Sequence, residues 1–162
     1  MSLHCPNAIM TSERVIVHEL AHQWFGDSIS LENWKDIWLK EGMATYSEWI
    51  WESKNDPAAL NEIAQNNERR FFDSELSVAE PATDHLYTGE SYTGGALVFH
   101  ALHLQVGDGA FFNILRTYVE RYRGGNAGTD DFIALAEEIS GQDLQSFFEA
   151  WLFSVRMPDL PE

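Results

Sequence analysis

The sequence predicts an all-α fold of about seven helices. Apolar residues recur at helical spacing along most of the 162 residues. Glycines and helix-capping residues separate these periodic stretches, and no stretch reads as a convincing strand. With 44% hydrophobic and 13% aromatic residues the chain can bury one good core, so we expect residues 1–162 to form a single domain.

The first predicted helix carries the candidate functional residues. Thr11 and Ser12 are suitable N-cap residues, and Gly26 is a suitable stop. Apolar residues occur on every side of the helix between these limits, which is typical of a buried helix. We therefore expect this helix to be buried.

Six further helices are predicted after it. Asp56-Pro57 is an N-cap and first-turn pair, and residues 77–90 have no sustained period and are interpreted as a loop. The predicted ranges are about 34 or 36 to 53, 57–76, 91–106, 108–123, 129–139 and 143–155.

Composition excludes several classes of partner. The balance of 26 acidic against 10 basic residues gives a net charge of -16, which opposes binding to nucleic acid and to anionic lipid.

Cys5 is the single cysteine, so no internal disulfide can form. No apolar run is long enough to span a membrane, and the first residues lack the basic, apolar and small-residue regions of a signal peptide. We expect a soluble chain in which residues 1–3 are an added leader. Because the natural N-terminus is then missing, the compartment stays open between the cytoplasm and a secreted or cell-envelope location.

The first helix contains the pentapeptide His18-Glu19-Leu20-Ala21-His22. Because an α-helix turns by about 100° per residue, His18 and His22 share one face and can bind one ion. Glu19 projects beside this face, where it can hold and deprotonate a water molecule. The alternative is that the histidines only satisfy buried hydrogen bonds. Burying these three groups in an apolar helix without compensation costs several kcal/mol, which favours a metal site.

A zinc site needs a third protein ligand, and a catalytic site leaves the fourth position to water. Glu41 follows His22 after 18 intervening residues and lies in the second predicted helix. It stands in a segment rich in Trp, which favours burial over the alternative of an exposed helix glutamate, and a buried glutamate needs a partner. We predict that His18, His22 and Glu41 bind one zinc ion per chain.

Two stretches carry a family resemblance. Residues 18–26 read HELAHQWFG and residues 38–42 read WLKEG, and together they resemble the signature of the aminopeptidase N-like gluzincin zinc peptidases, which include leukotriene hydrolase. The resemblance implies that the two histidines and Glu41 bind zinc, that Glu19 is the general base, and that the fold is the helical half of a thermolysin-like zincin catalytic domain. Lys40 departs from the asparagine usual in the family.

A second family element is a tyrosine followed two residues later by Lys-Gly-Ala. Residues 92–96 resemble it, with Gly94 in place of the lysine. The resemblance implies that the hydroxyl of Tyr92 stabilises the oxyanion of the tetrahedral intermediate. Tyr87 precedes a similar Thr-Gly pair and is the alternative, and either tyrosine is otherwise a surface aromatic.

Groups that orient the histidine rings are also expected. Glu48 lies two turns beyond Glu41 on the same helix face, and Asp36, one turn before Glu41, is a weaker candidate. The alternative for both is a solvated helix charge. The remaining histidines have no comparable spacing to acidic residues and are interpreted as structural or exposed: His4, His85, His100 and His103.

The resemblance implies a zinc metallopeptidase, first of all an aminopeptidase acting on peptides with a free N-terminus. A thermolysin-like endopeptidase has the same ligands and base, and a non-catalytic, zinc-stabilised peptide-binding module is the alternative outside enzymes. The family's upstream β-rich half, whose Gly-Ala-Met-Glu-Asn stretch holds the substrate's amino group, is absent from this sequence. We therefore expect a fragment with low activity and with uncovered apolar surface that favours self-association.

Overall fold

The chain folds into α-helices joined by short connections, and the computed structural model describes residues 6–71, 76–79 and 86–160. The helices in these ranges are α1 Pro6–His22, α2 Ile37–Ser53, α3 Pro57–Phe71, α4 Gly95–Val106, α5 Asp108–Tyr122, α6 Thr129–Ser140 and α7 Gln145–Phe148. A 3-10 turn, Trp34–Asp36, leads into α2, and π-helical turns at Glu90–Gly94 and Glu149–Phe153 precede α4 and follow α7. The prediction of an all-α fold with about seven helices is confirmed.

Helix α1 differs from its prediction in two ways. It begins at Pro6 rather than at a Thr11 or Ser12 cap, and proline suits a first helical turn because no hydrogen bond is required of its nitrogen. The expectation of a buried helix is also wrong, because Val15, Ile16 and Leu20 are each more than half exposed. The reason is that α1 packs mainly on α2, and the described residues provide no second layer over its opposite face.

Helix α2 lies at the centre of the fold and packs against α1, α3, α4 and the π-helical turn before α4. Its Trp38, Tyr46 and Trp49 are almost completely buried. Truncation of a buried aromatic side chain of this kind costs about 3–5 kcal/mol. Other helices supply further fully buried aromatic rings to the same core: Phe99 from α4, Phe111 from α5, Phe132 from α6 and Phe148 from α7.

Two glycines allow α2 and α4 to approach very closely. A Cβ atom added to Gly42 would lie 2.6 Å from Cα of Gly95, and one added to Gly95 would lie 2.8 Å from Cα of Gly42. No side chain fits at either position without separating the helices. This contact brings the π-helical turn that carries Tyr92 against α2, close to Glu41.

A short parallel strand pair and a buried aspartate connect the start of α2 to α6. Strand β1, Ser30–Leu31, pairs with β2, Asn126–Ala127, although no strand is predicted, because two-residue strands have no periodic pattern. The Oδ1 atom of Asp36 accepts hydrogen bonds from the backbone N–H and the hydroxyl of Thr129, at 3.0 and 2.7 Å. These contacts hold the N-terminus of α6 beside α2.

The other predicted helices are found with small shifts in their ends. Asp56 accepts a hydrogen bond from the backbone N–H of Ala58, as expected of a cap before Pro57. The predicted loop at 77–90 falls partly outside the described residues, as do residues 1–5, with His4 and Cys5, and His85. In the part of the chain that the structure describes, none of the helices combines the length and apolar character needed to cross a membrane.

Candidate metal centre

His18, His22 and Glu41 converge on one point between α1 and α2. One ligand atom from each residue lies within 4.8 Å of those of the other two. The Oε2 atom of Glu41 is 3.3 Å from Nε2 of His18 and 3.5 Å from Nε2 of His22. The helical spacing of the histidines and the packing of α1 on α2 therefore bring together the three side chains predicted to bind zinc.

The outer nitrogen of each ring has its own partner. Nδ1 of His18 lies 2.8 Å from Oε1 of Glu48, and Nδ1 of His22 lies 3.0 Å from the backbone carbonyl of Phe25. A carboxylate and a carbonyl only accept hydrogen bonds, so each Nδ1 carries the proton. The neutral form of each ring then has its lone pair on Nε2, the nitrogen that points toward Glu41.

Both partners of the rings are themselves anchored. Nε of Arg14 donates a hydrogen bond of 3.0 Å to Oε2 of Glu48, which leaves Oε1 for His18. The ring of Phe25 stacks on Tyr118 of α5 with centroids 5.9 Å apart, which fixes the turn that supplies the carbonyl. Glu48 is thus found where the sequence suggested a ring-orienting carboxylate, whereas Asp36 bonds Thr129 and not a histidine.

The electrostatics of the cluster favour a cation at its centre. Burial opposes ionisation of Glu41, but hydrogen bonds from His18 and His22 outweigh this cost and hold the pKa of its carboxyl well below the usual range. Hydrogen bonds to Glu41 and then to Glu48 raise the pKa of His18 to about 9. Two carboxylates around one imidazole therefore stabilise positive charge at this position.

The donor set and its surroundings fit a zinc ion. Two imidazole nitrogens and one carboxylate oxygen are the ligands that zinc takes in many catalytic sites, with a fourth position left to water. The three donor atoms already face one another, and the outer ring nitrogens are hydrogen-bonded, as they are around bound zinc. Only small movements are needed to bring these donors to bonding distance from one ion.

Tyr92 and Glu19 border the cluster. The ring of Tyr92 stacks on His18 with centroids 5.9 Å apart and an interplanar angle of 20°. Burial, and then the charge of Glu41 and a hydrogen bond to it, raise the pKa of Tyr92 to about 12. Glu19 is exposed and forms no hydrogen bond or ion pair with any described residue. The alternative tyrosine, Tyr87, is 60% exposed and does not stack on either histidine.

Lys40, the departure from the family pattern, lies beside the cluster. Its Nζ atom is 3.5 Å from Oε1 of Glu41, and about a quarter of its side chain is exposed. The other departure, Gly94, is buried at the end of the π-helical turn. No side chain at that position extends toward the cluster.

A second buried polar network was not predicted. The hydroxyl of Tyr46 lies 2.8 Å from Nδ1 of His103 and 3.3 Å from Nδ1 of His100, and Nε2 of His103 lies 2.7 Å from Oδ1 of Asp108. His100 and His103 are thus structural, as interpreted from the sequence. Asp108, the carboxylate partner of His103, was not predicted because it lies across the junction of α4 and α5 rather than at helical spacing.

The helices and the cluster together have the arrangement that is typical of the metal-binding part of HExxH metallopeptidases. Residues 4–151 match the peptidase family M1 domain, and the chain belongs to peptidase family M1. It is 33% identical over 151 residues to aminopeptidase N of Streptomyces lividans, an alignment that covers 85% of this chain and 18% of that protein. The chain therefore spans less than a fifth of this relative's length.

Solved structures of family M1 peptidases are also similar to this chain. The M1 zinc metallopeptidase from Deinococcus radiodurans is 36% identical, with a TM-score of 0.83 over 93% of this chain and 34% of that chain. A mutant of that enzyme bound to a Tyr-Ser-Ala substrate is 35% identical, also with a TM-score of 0.83, over 93% of this chain and 35% of that chain. The predicted family resemblance is confirmed.

Proposed function

We propose that the protein is a zinc-dependent aminopeptidase and that this chain supplies its metal ligands, its general base and its oxyanion donor. The observation that carries the proposal is the convergence of His18, His22 and Glu41, with Glu19 and Tyr92 beside them. Membership of family M1 supports it, and so do the names of relatives such as aminopeptidase N of Streptomyces lividans.

The metal ligands are His18 and His22, through Nε2, and Glu41. One ion per chain is proposed, because these three residues form the one group of suitable ligands among the described residues. Zinc, when bound, acts as a Lewis acid toward the scissile carbonyl and lowers the pKa of water. Glu48 and the carbonyl of Phe25 hold the histidine rings in the orientation that this requires.

Glu19 is the proposed general base. It follows His18 directly on α1, and its side chain is exposed and free of hydrogen bonds with the described residues. A carboxylate in this position can take a proton from the attacking water and pass it to the leaving amine. This role explains why a glutamate stands beside the ligands without being one of them.

Tyr92 is the proposed oxyanion donor. Burial and the nearby Glu41 raise its pKa to about 12, so its hydroxyl is protonated at neutral pH and can donate a hydrogen bond. The stacking on His18 holds the ring next to the ligands. As the carbonyl carbon becomes tetrahedral, a donor at this position stabilises the negative charge that develops on its oxygen.

The proposal places the group that binds the substrate's amino group outside these 162 residues. We propose that the chain is the helical part of a larger catalytic domain, whose β-rich half anchors the free N-terminus of a peptide. The exposed apolar side chains of Val15, Ile16, Leu20 and Trp24 are available for contact with such a partner, and for self-association when it is absent.

The test uses the proposed larger catalytic domain, called the longer parent below, and two matched substrates. An amino-acyl anilide and the same anilide with its amine acetylated are compared, with the parent and with its Glu19→Gln variant. The proposal predicts cleavage of the free-amine substrate only, abolished by Glu19→Gln without loss of bound zinc. Equal cleavage of both substrates would instead favour an endopeptidase, and zinc binding without any cleavage would favour a peptide-binding module.

A further inference from the structure

The two carboxylate oxygens of Glu41 have different neighbours. Oε2 lies 3.3 and 3.5 Å from the Nε2 atoms of His18 and His22. Oε1 lies 3.5 Å from Nζ of Lys40. Only 3% of the Glu41 side chain is exposed, so water cannot replace these partners easily. The carboxylate, which also forms a hydrogen bond with Tyr92, therefore has one oxygen that faces both histidines and one oxygen beside a cation.

The stem of Lys40 lies against the turn that follows α1. Gly26 has a φ of +131°, and a Cβ atom there would lie 3.0 Å from Cδ and from Cε of Lys40. The absence of a side chain on Gly26 thus provides the space in which the lysine stem lies. The apolar stem packs in this space, and the ammonium group at its end lies near Oε1 of Glu41.

From this geometry we infer that Lys40 is a positioning residue that makes Glu41 a single-oxygen ligand. The inference rests on the proposed function of the cluster as a zinc site. A carboxylate can bind a metal through one oxygen or through both, and binding through both fills an additional coordination position. An ammonium group on Oε1 competes with the metal for that oxygen, so Oε2 alone is presented to the ion. The position that catalysis requires for water then stays open.

The competing explanation is that Lys40 only packs against the turn at Gly26. Two variants separate these roles. Lys40→Met keeps most of the apolar stem and removes the ammonium group, whereas Lys40→Arg keeps the positive charge. Lys35→Met is the matched control. Lys35 is exposed and has no partner among the described residues, and its replacement removes the same positive charge from the acidic chain.

The experiment measures metal binding by the 162-residue chain and these three variants. The visible spectrum of bound Co²⁺ reports coordination number, since four-coordinate Co²⁺ absorbs more strongly than five- or six-coordinate Co²⁺. Zinc affinity is measured by competition with a chromophoric chelator, and thermal unfolding of the metal-free proteins checks the fold. We expect Lys40→Met to weaken the Co²⁺ bands, because Oε1 of Glu41 is then free to bind the metal as well, and not to lower zinc affinity, because a competing positive charge has been removed.

Lys40→Arg and Lys35→Met should keep the intense spectrum and the zinc affinity of the original chain. A Lys40→Met protein with an unchanged Co²⁺ spectrum would overturn the inference while leaving the zinc site intact. An equal loss of band intensity in Lys35→Met would also overturn it, because the effect would then come from net charge alone. If the unsubstituted chain binds neither Co²⁺ nor zinc, the proposed metal site itself fails.

Discussion

His18 donates a hydrogen bond from Nδ1 to Oε1 of Glu48, at 2.8 Å, across the contact between α1 and α2. Glu48 lies two turns beyond Glu41 on α2, so one helix supplies both a metal ligand and the group that orients another ligand. The orientation of the His18 ring is therefore coupled to the packing of these two helices.

Replacement of Glu48 by alanine should reduce zinc affinity by roughly 10–100-fold, because the His18 ring loses the partner that fixes its tautomer and direction. Glu52→Ala is the control, since Glu52 also pairs with Arg14, at 3.5 Å, but does not contact His18. Chelator competition measures both affinities. A loss of equal size in the two variants would assign the effect to Arg14 instead.

Zinc binding should strengthen as pH rises. Below about pH 9 the metal-free site holds a proton on His18, because Glu41 and Glu48 raise its pKa, and zinc must displace that proton. Apparent affinity should therefore increase by about tenfold per pH unit between pH 6 and pH 8. Titrations across this interval are the measurement, and an affinity that does not change with pH would show that His18 is not a ligand.

Tyr92→Phe should lower kcat of the longer parent by roughly a hundredfold with little change in KM, as expected for the loss of an oxyanion donor. The ring remains, so its stacking on His18 and the zinc content should be preserved. Tyr87→Phe is the matched control, with an exposed ring and little expected effect. The opposite result would assign the role to Tyr87.

Gly42→Ala should destabilise the chain by about 2 kcal/mol or more, because the added methyl group meets the backbone of Gly95 at 2.6 Å. Gly109→Ala is the control, since its Cβ would meet nothing within 4 Å and alanine is the better helix former. Chemical denaturation compares the two variants. Equal stabilities would show that α2 and α4 can separate freely.

Local spacing made much of the centre predictable. His18 and His22 are one helical turn apart, so their shared face follows from the sequence, and the polar Glu41 in an apolar helix indicates a buried partner. The convergence of these three side chains depends on how α1 packs on α2, which spacing along the sequence does not predict. It was expected because of the resemblance to the peptidase family. The role of Glu48 could also be predicted from spacing, because Glu48 shares a helix face with Glu41.

Features set by long-range contacts were missed. The apolar sequence of α1 predicts a buried helix, but Ile16 and Leu20 are exposed. Burial depends on which other elements cover the helix. Asp36 has helical spacing to Glu41, yet its Oδ1 atom accepts hydrogen bonds from Thr129, 93 residues further along the chain, and its Oδ2 atom accepts one from the backbone N–H of Asn33. Periodicity contains no information about such partners.

The most direct test of the account is the zinc content of the purified 162-residue chain after loading and removal of free metal. The convergence of His18, His22 and Glu41 predicts about one equivalent per chain, removed by a chelator. The same measurement on His18→Ala, His22→Ala and Glu41→Ala should show that this uptake is lost, whereas Glu19→Gln should retain it. Unchanged zinc content in the three ligand variants would contradict the proposed centre.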